Sequence, residues 1–132
     1  MIRTMSKLAL AMALAGAAAT AGAQDIPEGD AAAGEKVFRK CQACHVADKE
    51  QNRVGPYLKD IFGREVAGVD GFNYSNAMKD WAEGKGEWTP ELMFTYLEQP
   101  MQLVQGTRMA FPGLPDPQER ADIIAYLQEH SS

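Results

Sequence analysis

Ligands for a soft metal ion are scarce in this sequence: two cysteines and two histidines in 132 residues. A structural zinc site takes about four such ligands, and one of these, His130, lies in the last few residues, which argues against zinc. Strongly apolar β-branched runs are also missing, which removes the βαβ setting that a Cys-x-x-Cys thiol–disulfide oxidoreductase needs. The longest apolar stretch, Leu8 to Ala19, falls short of the roughly 20 residues that span a bilayer. Positive charge is the minority sign, with 13 Lys and Arg against 18 Asp and Glu and a formal net charge of −5. That balance argues against nucleic acid and an anionic membrane surface as partners.

What the chain does have is Cys41-Gln42-Ala43-Cys44-His45. Cys-x-x-Cys-His is the attachment signature of a c-type haem, in which both thiols add across the porphyrin vinyl groups and the adjacent histidine ligates the iron. Two intervening residues let one helical turn present both sulfurs to one edge of the macrocycle. A disulfide across the same two residues would be strained.

The N-terminus fits this chemistry. Arg3 and Lys7 precede the apolar Leu8–Ala19 core, and Ala21-Gly22-Ala23 is a small-residue cleavage site, so residues 1–23 read as a secretory signal peptide. Without Arg3 and Lys7, 11 basic residues face 18 acidic ones, a formal net of −7. Residues 24–132 form one domain of about 109 residues. A chain of that size buries a limited core, so a large apolar cofactor would supply much of its packing surface.

The pattern of this domain is all-α. Asp30 caps a helix reaching about Cys41, with Gly34, Val37 and Phe38 on one face, and Gly34 suggests a close crossing with the last helix. That last helix opens with Asp116, Pro117 and a capping-box Glu119, ahead of Ile123, Ile124, Tyr126 and Leu127. Ser75 caps a segment carrying Met78, Trp81 and Ala82, ended by Gly84-Lys85-Gly86. Thr89 caps another, with Leu92, Met93, Tyr96 and Leu97 inward until Pro100 stops it. Residues 46–74 read as loop, with a turn of helix at Leu58 to Phe62.

Iron held by His45 on one face has five candidates for the other: Met78, Met93, Met101, Met109 and His130. Met78 and Met93 sit on apolar helical faces, where packing is their default role, and His130 reads as a solvated tail residue. Met101 follows Pro100 at a helix end. Met109 lies in the Gly- and Pro-punctuated stretch Gly106 to Gly113, a loop able to carry a side chain across a cofactor face.

From Gly34 to Leu127 the chain resembles class I cytochrome c, close to the bacterial relatives of the mitochondrial protein. Gly34 and Phe38 against Ile123 and Tyr126 resemble that family's crossing of N- and C-terminal helices. Gly55-Pro56 resembles the loop whose proline carbonyl accepts a hydrogen bond from the ligand histidine. Gly106-Thr107-Arg108-Met109, followed by Phe111, resembles the methionine ligand loop. The resemblance implies a small fold with crossing terminal helices around one haem c attached through Cys41 and Cys44, with His45 and Met109 as axial ligands. It further implies that Arg64, Tyr74 and Trp88 contact the haem propionates and that Tyr96 approaches the methionine sulfur. Without the family, Arg64 reads as a surface cation, and Trp88 and Tyr96 as core aromatics.

Three features depart from the family pattern. Met78 stands where many members have asparagine, the Asp80–Gly86 segment is longer than in the mitochondrial form, and the docking ring of lysines shrinks to Lys36, Lys40 and Arg108. The expected function is that of a periplasmic, monomeric electron carrier, not an enzyme. Its partners would be redox proteins that dock transiently: a cytochrome bc complex, a terminal oxidase, a photosynthetic reaction centre or a periplasmic dehydrogenase. One rival is a haem enzyme or ligand sensor in which the Met109 loop swings away and Arg108 serves as the distal group. The other is a haem-free thiol oxidoreductase using Cys41 and Cys44.

Overall fold

The computed structural model describes Gly16 and residues 25–132; apart from Gly16, the signal segment and its cleavage site lie outside the described residues. Among the described residues five helices follow one another: α1 (Ala31–Phe38), α2 (Asn76–Ala82), α3 (Pro90–Glu98), α4 (Pro100–Leu103) and α5 (Pro117–Glu129). Among the described residues, extended pairing is limited to one antiparallel bridge, Glu65 with Glu87.

Helix starts follow their capping residues. Asp30, Ser75 and Thr89 each accept a hydrogen bond from the backbone N–H three residues on, those of Ala33, Met78 and Leu92, satisfying donors that have no intrahelical partner. Asp116 caps α5 through the N–H of Gln118. The capping box expected of Glu119 does not form, because its carboxylate turns to Lys40, 3.3 Å away. Pro100 ends α3 as expected and then opens α4, since its fixed φ and missing N–H suit a first helical position. The expected turn of helix at Leu58–Phe62 is instead two successive four-residue turns, Ile61 N–H to Leu58 O and Arg64 N–H to Ile61 O, 3.1 Å each. Asp60, inside the first of them, has φ 54, a left-handed conformation that no right-handed helix passes through.

The core forms where α1 crosses α5. A Cβ on Gly34 would run into the backbone carbonyl of Asp122 and the Cβ of Tyr126, so only glycine permits this approach. Val37 and Phe38 then pack into the core with Ile123, Ile124 and Leu127, all buried, each large side chain contributing about 1.5–3 kcal/mol by leaving water. Asp122 is buried too, its Oδ1 accepting from the N–H of Asp30 and from Gln118 Nε2, both at 2.9 Å. Arg120 is the second buried charge. Its guanidinium lies over the Phe94 ring at 4.1 Å and donates to the Phe94 carbonyl and to Glu98, tying α5 to α3. The crossing holds the end of α1, and hence the cysteine turn, in place.

Candidate functional site

The helix expected to run to Cys41 ends at Phe38. Beyond it the hydrogen bonding tightens, with Lys40 N–H to Val37 O at 3.0 Å and Cys41 N–H to Phe38 O at 2.8 Å. A separate turn follows, closed by the N–H groups of Cys44 and His45 on the Cys41 carbonyl, at 3.0 and 2.9 Å. Both cysteines are free and half-buried on this turn. Burial pushes the Cys41 thiol up to about 11, against the opposing pull of Lys40. A reactive Cys-x-x-Cys thiol is shifted the other way.

His45 is held from behind by its chain neighbours in space. Its Nδ1 lies 2.7 Å from the Pro56 carbonyl; a carbonyl only accepts, so Nδ1 carries the hydrogen and Nε2 keeps its lone pair. Gly55 makes this possible, because a Cβ there would overlap the imidazole ring. The Gly55 N–H binds the Cys44 carbonyl at 2.9 Å, and the Leu58 N–H binds that of Val46 at 2.7 Å, so the two segments are laced together. Burial lowers the pKa of His45, and the Pro56 bond opposes that; the net result favours the neutral ring that a metal requires.

Met109 sits on a loop anchored at both ends. Val104 and Leu114 are almost wholly buried, and the Leu114 N–H bonds the Leu97 carbonyl at 2.7 Å. Gly113, at φ 99, passes so close to the Glu98 carbonyl that a Cβ would not fit. Thr107 Oγ1 accepts from the Met109 N–H at 3.2 Å, and the Tyr96 hydroxyl lies 3.9 Å from the Met109 sulfur. Burial pushes the Tyr96 hydroxyl up to about 12, so it stays protonated and can donate. Of the other candidates, Met93 is buried in the core, Met78 packs half-buried against it and Met101 is 48% exposed. His130 is no solvated tail: its ring packs edge-on against Tyr126 at 4.6 Å and its carbonyl accepts from the Asp60 N–H.

Arg64 and Trp88 come together beside the short bridge. The Trp88 N–H binds the Arg64 carbonyl at 2.8 Å, and the Gly63 N–H binds that of Trp88 at 3.0 Å. Arg64 donates to the carbonyls of Tyr57 and Lys59 at 2.7 and 2.6 Å and lies over the Tyr57 ring. It is therefore no free surface cation, although three of its five N–H donors remain. Tyr74 accepts from the Val69 N–H at 3.0 Å, which leaves its own proton to give. Sequence reasoning missed Tyr57; its position directly after Gly55-Pro56 was the available signal.

This donor set fits a covalently held haem. It offers two unpaired thiols on one turn, an imidazole oriented by its second nitrogen, a thioether on an anchored loop and a polar cluster with donors to spare. Among the described residues, no helix is long and apolar enough to cross a membrane.

Comparisons with known proteins agree. A family model described as cytochrome c matches residues 31–131. The chain is 51% identical over 100 residues to the protein named cytochrome c-type cyt cy of Rhodobacter capsulatus, covering 75% of this chain and 48% of that relative, so it spans about half that relative's length. It is 45% identical over 103 residues to cytochrome c2 of Rhodopila globiformis, covering 77% of this chain and 94% of the other. Among solved structures, cytochrome c2 from Rhodospirillum centenum superposes with a TM-score of 0.70 at 39% identity, covering 79% of this chain and all of that one.

Proposed function

The chain belongs to the cytochrome c family, whose members carry haem c through a Cys-x-x-Cys-His turn such as Cys41 to His45; from that premise we propose a periplasmic single-electron carrier whose iron lies between His45 and Met109. The observation that carries this reading is the 2.7 Å bond between His45 and the Pro56 carbonyl, which leaves Nε2 as the donor and fixes the ring's orientation. Bound haem supplies the ferric–ferrous couple.

The residues set how that couple behaves. His45 is kept neutral and oriented. The soft thioether of Met109 favours the reduced state and raises the potential relative to a second histidine, and buried apolar surroundings raise it further by penalising the extra positive charge of the oxidised state. His45 and Met109 would both hold the iron of the resting carrier, which would then offer a substrate no open position, in keeping with a carrier and not an enzyme. Arg64, Tyr74 and Trp88 are the donors for the propionates.

Residues 1–23 direct export and are removed. The partners are membrane or periplasmic redox proteins, such as a cytochrome bc complex, a terminal oxidase, a reaction centre or a dehydrogenase, met by the monomer through a small, short-lived interface. Lys40, one of three rim cations, is paired with Glu119, so docking does not rest on a strong positive field. Arg108, the distal group an enzyme or sensor would use, is exposed.

The test is the absorption spectrum of the oxidised, exported protein. A weak far-red band from methionine sulfur on ferric haem is the expected result. Haem without that band would refute the Met109 assignment.

A further inference from the structure

Three aromatic rings meet beside Met109 and lead outward. Tyr96 and Trp88 are buried, at 7% and 5% exposure, and their ring centroids lie 5.1 Å apart. Trp81, half-buried on α2, touches both, at 5.9 Å from Trp88 and 5.4 Å from Tyr96. At the inner end the Tyr96 hydroxyl lies 3.9 Å from the Met109 sulfur. At the outer end the exposed Lys85 holds its ammonium 5.1 Å from the Trp81 ring centre.

Packing alone asks only for apolar area here, which phenylalanine or leucine would supply. Tryptophan and tyrosine are instead the ring side chains that give up one electron most readily, and rings in contact exchange an electron over a short gap. Resting on the Met109 assignment, we propose that Tyr96, Trp88 and Trp81 form a hole-transfer chain that carries an oxidising equivalent from the haem site to the surface at Trp81 when a peroxide takes the place of Met109 and is reduced there.

The balance closes. Hydrogen peroxide takes up two electrons and two protons and becomes two waters. The reduced carrier gives one electron from its own couple. Trp81 gives the second electron together with its indole N–H proton, and solvent gives the other proton. Trp81 is left as a neutral radical, and the ammonium of Lys85 favours that form by opposing a positive charge on the ring. Of the three rings, only Trp81 is more than marginally exposed to solvent, so the hole stops there. A one-electron, one-proton reductant such as ascorbate then restores the indole.

The experiment uses reduced holoprotein mixed with excess hydrogen peroxide, frozen for electron paramagnetic resonance, with oxidised residues mapped by peptide mass spectrometry. A tryptophan radical and oxygen addition at Trp81 are expected. In Trp81→Phe, which keeps an aromatic ring in place, the radical should vanish, haem should bleach several-fold faster and ascorbate should no longer protect it. Equal bleaching in both proteins, with damage confined to Met109 and Tyr96 of the unmodified chain, would overturn the relay. The far-red band of each untreated protein separates the two readings: its absence from the unmodified protein refutes the Met109 assignment, whereas a normal band without a Trp81 radical refutes the relay alone.

Discussion

The two sides of the proposed iron site are built to different tolerances. On the His45 side, a 2.7 Å bond to Pro56 and a glycine with no room for a Cβ hold the ring against backbone. On the Met109 side, the side chain's recorded polar contact is a 3.9 Å approach from Tyr96, and the backbone is steadied by one threonine turn. One ligand is fixed by main chain on adjoining segments; the other hangs from a loop anchored only at its ends. In the proposed site that difference divides the work: the His45 side would retain and orient the cofactor, and the Met109 side would supply the second ligand and tune it.

Breaking the firm side should have the largest effect. Replacing His45 by alanine removes the proximal donor next to the attachment cysteines, and holoprotein should fail to accumulate in a haem-attaching host. Normal yield of red protein would overturn the proximal assignment. Met109→Ala should do less to the fold and more to the chemistry. The thioethers and His45 keep the haem, so holoprotein forms, but the far-red band disappears, the potential falls and cyanide binds readily. An unchanged spectrum and potential would refute the assignment.

How far these two sides were legible in the sequence differs for the same physical reason. The His45 side is written in contiguous or near-contiguous residues, Cys41 to His45 and Gly55-Pro56, and the structure joins them as expected. The Gly34 crossing was legible because a mid-helix glycine is costly unless a neighbour needs the space. Local signals failed where a distant partner decides the outcome. Glu119 has the spacing of a capping box and instead pairs with Lys40, 79 residues away. Arg64 has the look of a surface cation, and carbonyls of the 57–59 segment claim two of its donors. Asp122 and Arg120 resemble solvated positions of α5, yet both are buried, because Asp30, Phe94 and Glu98, all distant in sequence, supply partners that no local pattern reveals.

A smaller change tests whether the firmness of the His45 side comes from Gly55. In Gly55→Ala the added methyl overlaps the imidazole, so ring or loop must shift, at a cost of about 1–3 kcal/mol, typical of overpacking. The guanidinium midpoint of the holoprotein should fall accordingly while the far-red band stays. An unchanged midpoint would show the Gly55 loop to be as yielding as the Met109 loop and would remove the contrast between the two sides.

The smallest effect is expected from Tyr96→Phe, which deletes the hydroxyl beside the sulfur and keeps the ring contacts with Trp81 and Trp88. The O–H dipole presents its positive end to the thioether, drawing electron density from the sulfur and disfavouring positive charge on the iron. Both effects raise the potential, so deleting the hydroxyl should lower it. At 3.9 Å to sulfur the bond is weak, about 0.5 kcal/mol at the low end of net hydrogen-bond contributions, which is roughly 20 mV for a one-electron couple. Protein-film voltammetry resolves a shift of that size, and the far-red band should persist, since Thr107 and the anchored loop still hold Met109. A drop several times larger, or loss of the band, would mean that Tyr96 grips Met109 as firmly as Pro56 grips His45, and the division of work between the two sides would have to be abandoned.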